Sequence, residues 1–431
     1  MPSCCPLSAP YTLHPNSYTL SFMLPVAFVS VSSALGGSEW VLHDLVTRAR
    51  RHDIEPTVVL PKEGPLGEAL QAAGVPVCVA VAPPEFLALS QRAAFTGGGL
   101  VQFGPGLWRW SRAIAGALDM IARQPEGKPA ILYSNGFKAH LACALVRGCA
   151  HVWHLHEFPP ARIGFVWRLL GGALPDAAIA NSAAVAGAWH YGPLAAPSVV
   201  LNGVDTERFK PGPKTFWIHD LLELPHEARL IGMPAVFARW KGHLQVVDAF
   251  ERIASEVPDA HLVLVGGPIY DTVAEAGYAQ ELSRRVRRSS QGGGSGNGTP
   301  TPLSDRIHFV KFQTEPWTLY REFDLVVHFS TRPEPFGRVV LEAMACGIPV
   351  IAAAAGGPAE ILEDGLTGWL TAPNDVPRLG ERMVAALRAD TGAMRAAARS
   401  RAERLFTADR FAADVAAVVL RAARAPKPAT A

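Results

Sequence analysis

The sequence lacks most of the signatures that assign a protein quickly. Its six cysteines form no CxxC pair and have no histidines spaced to complete a zinc site, which excludes zinc ribbons and fingers. No Asp-x-Asp triplet occurs, so an acidic pair bridging a metal to a diphosphate is disfavoured. Charged residues make up only 18% of the chain and the formal net charge is +2, too near neutral to imply a nucleic-acid partner. No Lys or Arg precedes Arg48, so the apolar stretch Tyr18–Ser33 has no basic flank of the kind a signal peptide carries. With Pro25 inside it, that stretch is also too short to span a membrane. Scattered thiols fit a reducing, cytoplasmic setting, and the charge does not oppose contact with an anionic membrane face.

What is present is apolar and long. Of 431 residues, 49% are hydrophobic, which suits two cores of roughly 200 residues each. Short β-branched runs alternate with helix-compatible stretches, the pattern of parallel sheets with crossover helices. The first series of strands runs from Val26–Val31 to Ser198–Leu201, and the second from Arg229–Met233 to Pro349–Ala353. Residues 1–21 read as a leader, 22–205 as the N-terminal domain, 206–228 as a linker marked by Pro211-Gly212-Pro213, and 229–406 as the C-terminal domain. Within the long helical stretch Met394–Ala423, the part from 407 on (to 424) is expected to complete the N-terminal domain. The Gly- and Ser-rich segment 289–304 reads as a flexible insertion. The arginines before it, Arg284, Arg285, Arg287 and Arg288, are either a solvated helix face or a phosphate or membrane patch. Open α/β sheets bind ligands at the carboxyl ends of their strands, so two facing domains place a site in the cleft between them.

The strongest motif follows the expected strand Asp324–Phe329. It runs from Ser330 through Glu334-Pro335-Phe336-Gly337-Arg338-Val339 to Glu342. A strand ends, a Pro/Gly loop turns and a helix begins near Gly337, where unpaired backbone amides favour a diphosphate. Glu342 lies about one turn into that helix, suited to accept hydrogen bonds from ribose hydroxyls. Glu334, on the loop, suits a sugar; the bland alternative has Glu342 merely pairing with Arg338 at i, i+4. The next strand end carries Gly356-Gly357-Pro358-Ala359-Glu360, and Asp364–Leu370 reads as a hairpin or tight turn.

With these residues in view, the chain resembles the retaining glycosyltransferases of the GT-B fold, family four (group 1), whose mark is two glutamates separated by seven residues. Glu334 and Glu342 have that spacing, and Asn202-Gly203-Val204-Asp205, Gly266-Gly267 and Gly365-Leu366-Thr367-Gly368 also match. The resemblance implies an α/β, GT-B architecture, in which two doubly wound Rossmann-like domains face each other across a cleft. It implies transfer of sugar from a UDP- or GDP-sugar to a glycan or lipid-linked acceptor, in surface polysaccharide or glycoconjugate synthesis, with no cofactor and no metal. Anomeric configuration would be retained, the acceptor proton passing to a departing phosphate oxygen.

Residue by residue, the resemblance makes Lys241 the holder of the donor diphosphate. The arginine usual about five positions before it is replaced by Val236, leaving Arg239 either as its substitute or as a solvent-facing side chain. Gly36 and Gly37 resemble the glycine loop that meets the donor, though alone they mark only the start of a Ser-capped helix. His156 and Glu157 resemble the step beside the transferred sugar; His154 and His156 share a strand face, with no third ligand to make a metal site. Asn202 and Gly266 complete the candidate contacts, and Asn181-Ser182 resembles a strand-end signal. Acceptor choice falls to the loops Pro83–Pro105 and Glu157–Gly172. There Phe158, Arg162, Phe165, Trp167 and Arg168 are either a membrane-facing acceptor surface or an ordinary amphipathic helix. Two other classes compete: a nucleotide-sugar epimerase of similar fold, needing acid–base groups for which only His156 and Glu157 offer themselves, and a non-catalytic sugar-nucleotide binding module.

Overall fold

Buried runs of Val, Ile, Leu and Ala form strands enclosed on both faces, as parallel sheets covered by helices require. The computed structural model describes residues 23–88, 97–122, 131–159, 175–189, 196–267, 277–288, 303–313 and 315–424. The expected leader, Arg162, Phe165, Trp167, Arg168 and nearly all of the Gly/Ser-rich insertion lie outside the described residues.

The first sheet contains β1 (Leu24–Ser30), β2 (Ile54–Leu60), β3 (Val77–Val79), β4 (Ile131–Asn135), β5 (Ala150–Leu155), β6 (Ala177–Ala180) and β7 (Ser198–Val199). The second contains β8 (Arg229–Pro234), β9 (Ala260–Gly266), β10 (Ile307–Lys311), β11 (Leu325–His328), β12 (Val350–Ala353) and β13 (Trp369–Thr371). Their orders are β3-β2-β1-β4-β5-β6-β7 and β10-β9-β8-β11-β12-β13. Both are doubly wound, with the order reversing between β1 and β4 and between β8 and β11, where such sheets open a crevice. Of the two alternatives for Asp364–Leu370 the tight turn forms, the Gly365 amide donating to Gly368 O at 2.8 Å, and Trp369–Thr371 after it pairs parallel with β12.

The chain crosses between domains twice, and the crossings touch. Val204 bridges to Thr407, with the Val204 amide donating to Phe406 O at 2.8 Å and the Ala408 amide to Val204 O at 2.9 Å. A Cβ on Gly203 would lie 2.4 Å from Thr407 O, so only glycine lets the two segments approach this closely. The same crossing divides the C-terminal helical stretch in two, Gly392–Leu405 and Ala408–Arg424, because Phe406 and Thr407 leave the helix to pair with Val204. The second of these helices buries Phe411, Val415 and Val419 in the core formed with β1, β4 and β5. Fully burying such side chains contributes about 1.5–3 kcal/mol each. Among the described residues, no helix is long and apolar enough to cross a membrane.

Candidate active site

The two switch points face each other across a cavity of about 420 Å³. Gly36 and Gly37 enter it from the β1 side, His156 and Glu157 from the end of β5, and Asn202 from near the first crossing. The C-terminal domain contributes Lys241 from the β8 side and Glu334, Phe336, Gly337, Arg338, Val339 and Glu342 from the β11 side. Twelve positions singled out in sequence thus share one cavity, and two do not.

Arg239 is the first correction. Its guanidinium pairs with Glu281 at 2.5 Å and lies 5.0 Å from the Tyr278 ring, half-exposed on the outer side of the loop. It does not line the cavity; the position of the missing arginine, Val236, lines it with an apolar side chain. Gly266 is the second. A Cβ there would lie 2.0 Å from Ala235 O, so this glycine makes room for the β8 loop behind the cavity wall rather than meeting a ligand. A smaller correction concerns the glycine loop: Gly36 itself caps the helix Gly37–Val46, and Ser38 lies within it.

On the C-terminal wall the carboxylates are surrounded by donors. Gly337 takes φ +97 as the cap of the helix Arg338–Ala345, a conformation that strains other residues. Its loop rests on Gly356, whose turn bridges to Glu334. Lys241 Nζ donates to both oxygens of Glu334, at 3.0 and 2.8 Å, and lies 4.1 Å from the Trp240 ring. Ser330 Oγ donates to Glu334 Oε2 at 2.8 Å, and His328 Nε2 lies 3.3 Å from the same oxygen. Burial pushes this carboxyl up, but Lys241 and His328 outweigh burial and hold it well below the usual carboxylate range. Glu342 accepts from Tyr320 Oη at 2.5 Å and from Arg338 Nε. The i, i+4 pair foreseen as a bland alternative therefore exists, yet Glu342 also lines the cavity. Burial disfavours the Arg338 charge, while Glu342 and Asp44 outweigh that and raise its pKa.

The histidines at the N-terminal wall are neutral. Tyr133 Oη lies 2.7 Å from His154 Nδ1, and the rings of His154 and His156 are 3.8 Å apart. Burial pushes the His156 imidazole down to about 3, so it is uncharged at neutral pH. The buried atoms His156 Nε2, Asn181 Oδ1 and Asn202 Oδ1 have no hydrogen-bond partner among the described residues. Glu157 is fixed by the Phe137 amide, which donates to Oε1 at 3.1 Å. No group of three His, Cys, Asp or Glu side chains among the described residues is disposed to hold a metal ion.

The domains also clasp beside the cavity. Ser182 caps the helix Ala183–Ala188 and donates to Pro335 O at 2.6 Å, while Glu360 accepts from the Ala183 and Ala184 amides at 2.8 and 2.9 Å. Tyr320, His328 and Asp44 belong to no motif in the sequence. His328 ends an identified strand and was within reach of a parity argument. Tyr320 and Asp44 carry no local signal, lying 22 positions from Glu342 and 294 from Arg338 respectively.

Fold and site together define a two-domain α/β protein with a cavity between its domains. Residues 35–208 match the family described as Glycosyltransferase Family 4, and residues 228–389 the family described as Glycosyl transferases group 1. The chain belongs to this family, on the GT-B fold. It is 32% identical over 215 residues to a D-inositol 3-phosphate glycosyltransferase of Mycolicibacterium paratuberculosis, a match covering 49% of this chain and 44% of that protein. The chain therefore spans less than half the length of that curated relative. It is also similar to Anabaena HepE, whose crystal structure contains UDP-glucose: 26% identity and a TM-score of 0.73, covering 92% of this chain and 99% of that one. A sucrose-phosphate synthase from Thermosynechococcus elongatus, 19% identical with a TM-score of 0.68, covers 92% of this chain and 98% of its own and shares the fold.

Proposed function

We propose that this protein transfers a glycosyl group from a nucleoside-diphosphate sugar, UDP-glucose or a close relative, to a hydroxyl of a glycan or lipid-linked acceptor, with retention of configuration. The observation that carries the reading is the contact of Lys241 with Glu334 in the cavity beside the amides that open the helix Arg338–Ala345, with Glu342 one turn on. The similarity to HepE, solved with UDP-glucose, supports the donor class.

In this reading the diphosphate lies at the helix start, where backbone amides and Lys241 offset its charge. Lys241 exchanges part of its pairing with Glu334 for the phosphate, and Glu334 turns its oxygens to sugar hydroxyls. Glu342 accepts from the ribose. The C1–O bond to phosphate breaks as the acceptor oxygen bonds to C1 on the same face, and the acceptor proton passes to the departing phosphate oxygen. Gly36 and Gly37 bring backbone to the opposite side of the leaving group, and neutral His156 meets the sugar as a hydrogen-bonding group. The cation at the leaving group is then Lys241, which supports turnover in the presence of chelator.

Incubation with UDP- and GDP-sugars, with and without acceptors and with EDTA, tests this. Release of nucleoside diphosphate with an α-linked product from an α-linked donor is expected. Interconversion of sugars without release would identify an epimerase, and binding without turnover a non-catalytic module; either overturns the proposal.

A further inference from the structure

Glu342 belongs to the C-terminal domain, yet part of what orients it comes from the other domain. Arg338 donates to Glu342 through Nε, and its Nη2 lies 3.4 Å from Asp44 Oδ2 on the facing helix Gly37–Val46. The three side chains are 12%, 8% and 3% exposed for Arg338, Glu342 and Asp44, so little water competes for these contacts. Arg338 Nη1 is buried with no partner among the described residues, which leaves Glu342 and Asp44 as the groups that set the guanidinium plane.

Asp44 is in turn anchored at the hinge. Arg48 Nη1 lies 3.7 Å from Asp44 Oδ1 and donates to the Asp44 carbonyl at 3.2 Å. Arg48 also pairs with Asp205 at 2.8 Å and with Asp409 at 3.4 Å. Those two aspartates closely follow Val204 and Thr407, the residues that pair where the chain crosses between domains. A connected set of charges therefore runs from both crossings through Arg48, Asp44 and Arg338 to Glu342.

We propose that Asp44 is a positioning residue for the donor, supplied by the opposite domain. It holds Arg338 against Glu342 only when the domains are closed, and so ties donor affinity to the angle between them. The proposal rests on the reading that Glu342 holds the ribose. If the domains part, Arg338 loses one of its two carboxylates, turns toward solvent, and no longer fixes the Glu342 rotamer. Asp44→Asn keeps the shape and removes the charge.

A double-mutant cycle read by calorimetry with UDP on the full chain tests this, or with GDP if the wild type binds that instead. Asp44→Asn is expected to weaken the nucleotide about tenfold. Arg338→Met weakens it at least as much, and the double variant no further than Arg338→Met alone. Asp44→Glu restores most of the affinity, an outcome that also guards against a variant that merely folds poorly. An unchanged Kd in Asp44→Asn, or additive losses in the cycle, overturns the proposal. Glu342→Ala is measured alongside. If it leaves nucleotide affinity unchanged, the ribose reading falls and the proposal with it; if it weakens binding while Asp44→Asn does not, the proposal alone falls.

Discussion

On the C-terminal wall of the cleft, Glu334 is contacted by Lys241, Ser330 and His328, and Glu342 by Tyr320 and Arg338. On the N-terminal wall, His156, Asn181 and Asn202 present buried polar atoms with no partner among the described residues, and the histidine is neutral. The two sheets are wound alike, so fold does not account for the contrast. A charged, recurrent ligand part such as a diphosphate and ribose calls for a cradle assembled beforehand, because charges reorganised during binding lose affinity. A neutral sugar or acceptor hydroxyl is better met by single hydrogen-bonding groups. Leaving such a group buried and unmatched costs about 1–3 kcal/mol, and a fitting ligand recovers that.

The largest effect that would test this contrast is expected from Lys241→Ala. It removes the cation that the proposed function puts beside the leaving group and leaves Glu334 buried without its main partner, so kcat should fall about 1000-fold. Arg239→Ala should stay within about twofold, since its partner is Glu281 outside the cavity. Equal losses in steady-state assays would show that Arg239 reaches the diphosphate after all.

Next comes Glu342→Ala, expected to weaken nucleotide binding about 100-fold, with the circular dichroism spectrum preserved. An unchanged Kd would remove the ribose assignment. On the facing wall, His156→Ala should raise the KM for the nucleotide-sugar about tenfold while leaving UDP affinity unaltered, because the proposed function places it at the sugar and not at the nucleotide. A loss shared equally by UDP and UDP-sugar would erase the distinction between the walls.

The smallest expected effect is on stability in acid. Burial pushes His140 and His156 on one side, and His243 on the other, from 6.5 down to about 3. The unfolded chain then takes up protons below about pH 6.5 that the folded chain refuses until about pH 3, so stability declines as pH falls through that window. Glu334 adds to the decline below about 4.5, its depressed pKa being a stabilisation lost on protonation. Thermal melts should shift down by several degrees between pH 7 and 4. A flat profile would mean that these imidazoles are reached by water.

Much of the frame was legible because its signals are local. Buried β-branched runs, the glutamates with seven residues between them and Gly337 at a helix start report geometry that is settled within one or two turns of chain. β13 was not legible, since three residues after a glycine turn carry no periodicity and only pairing with β12 makes them a strand. The division at Phe406 was visible as a domain boundary but not as a break in the helix, which needs Val204 beside it.

Side-chain direction was the other blind spot. Arg239 and Lys241 sit two positions apart in a basic run, and one faces Glu281 while the other faces Glu334. Nothing in the run separates them, since the choice depends on what each neighbouring element presents.

The amino-acid order alone therefore suffices for two doubly wound domains, the position of their cleft and most of the residues that line it. It could not specify that Arg338 meets Asp44, that Tyr320 meets Glu342, or that Glu360 clasps the helix at Ala183. Those partners lie 22 to 294 positions apart. Contacts over such separations exist only once both cores have packed and the two crossings at Val204 and Thr407 have set one domain against the other.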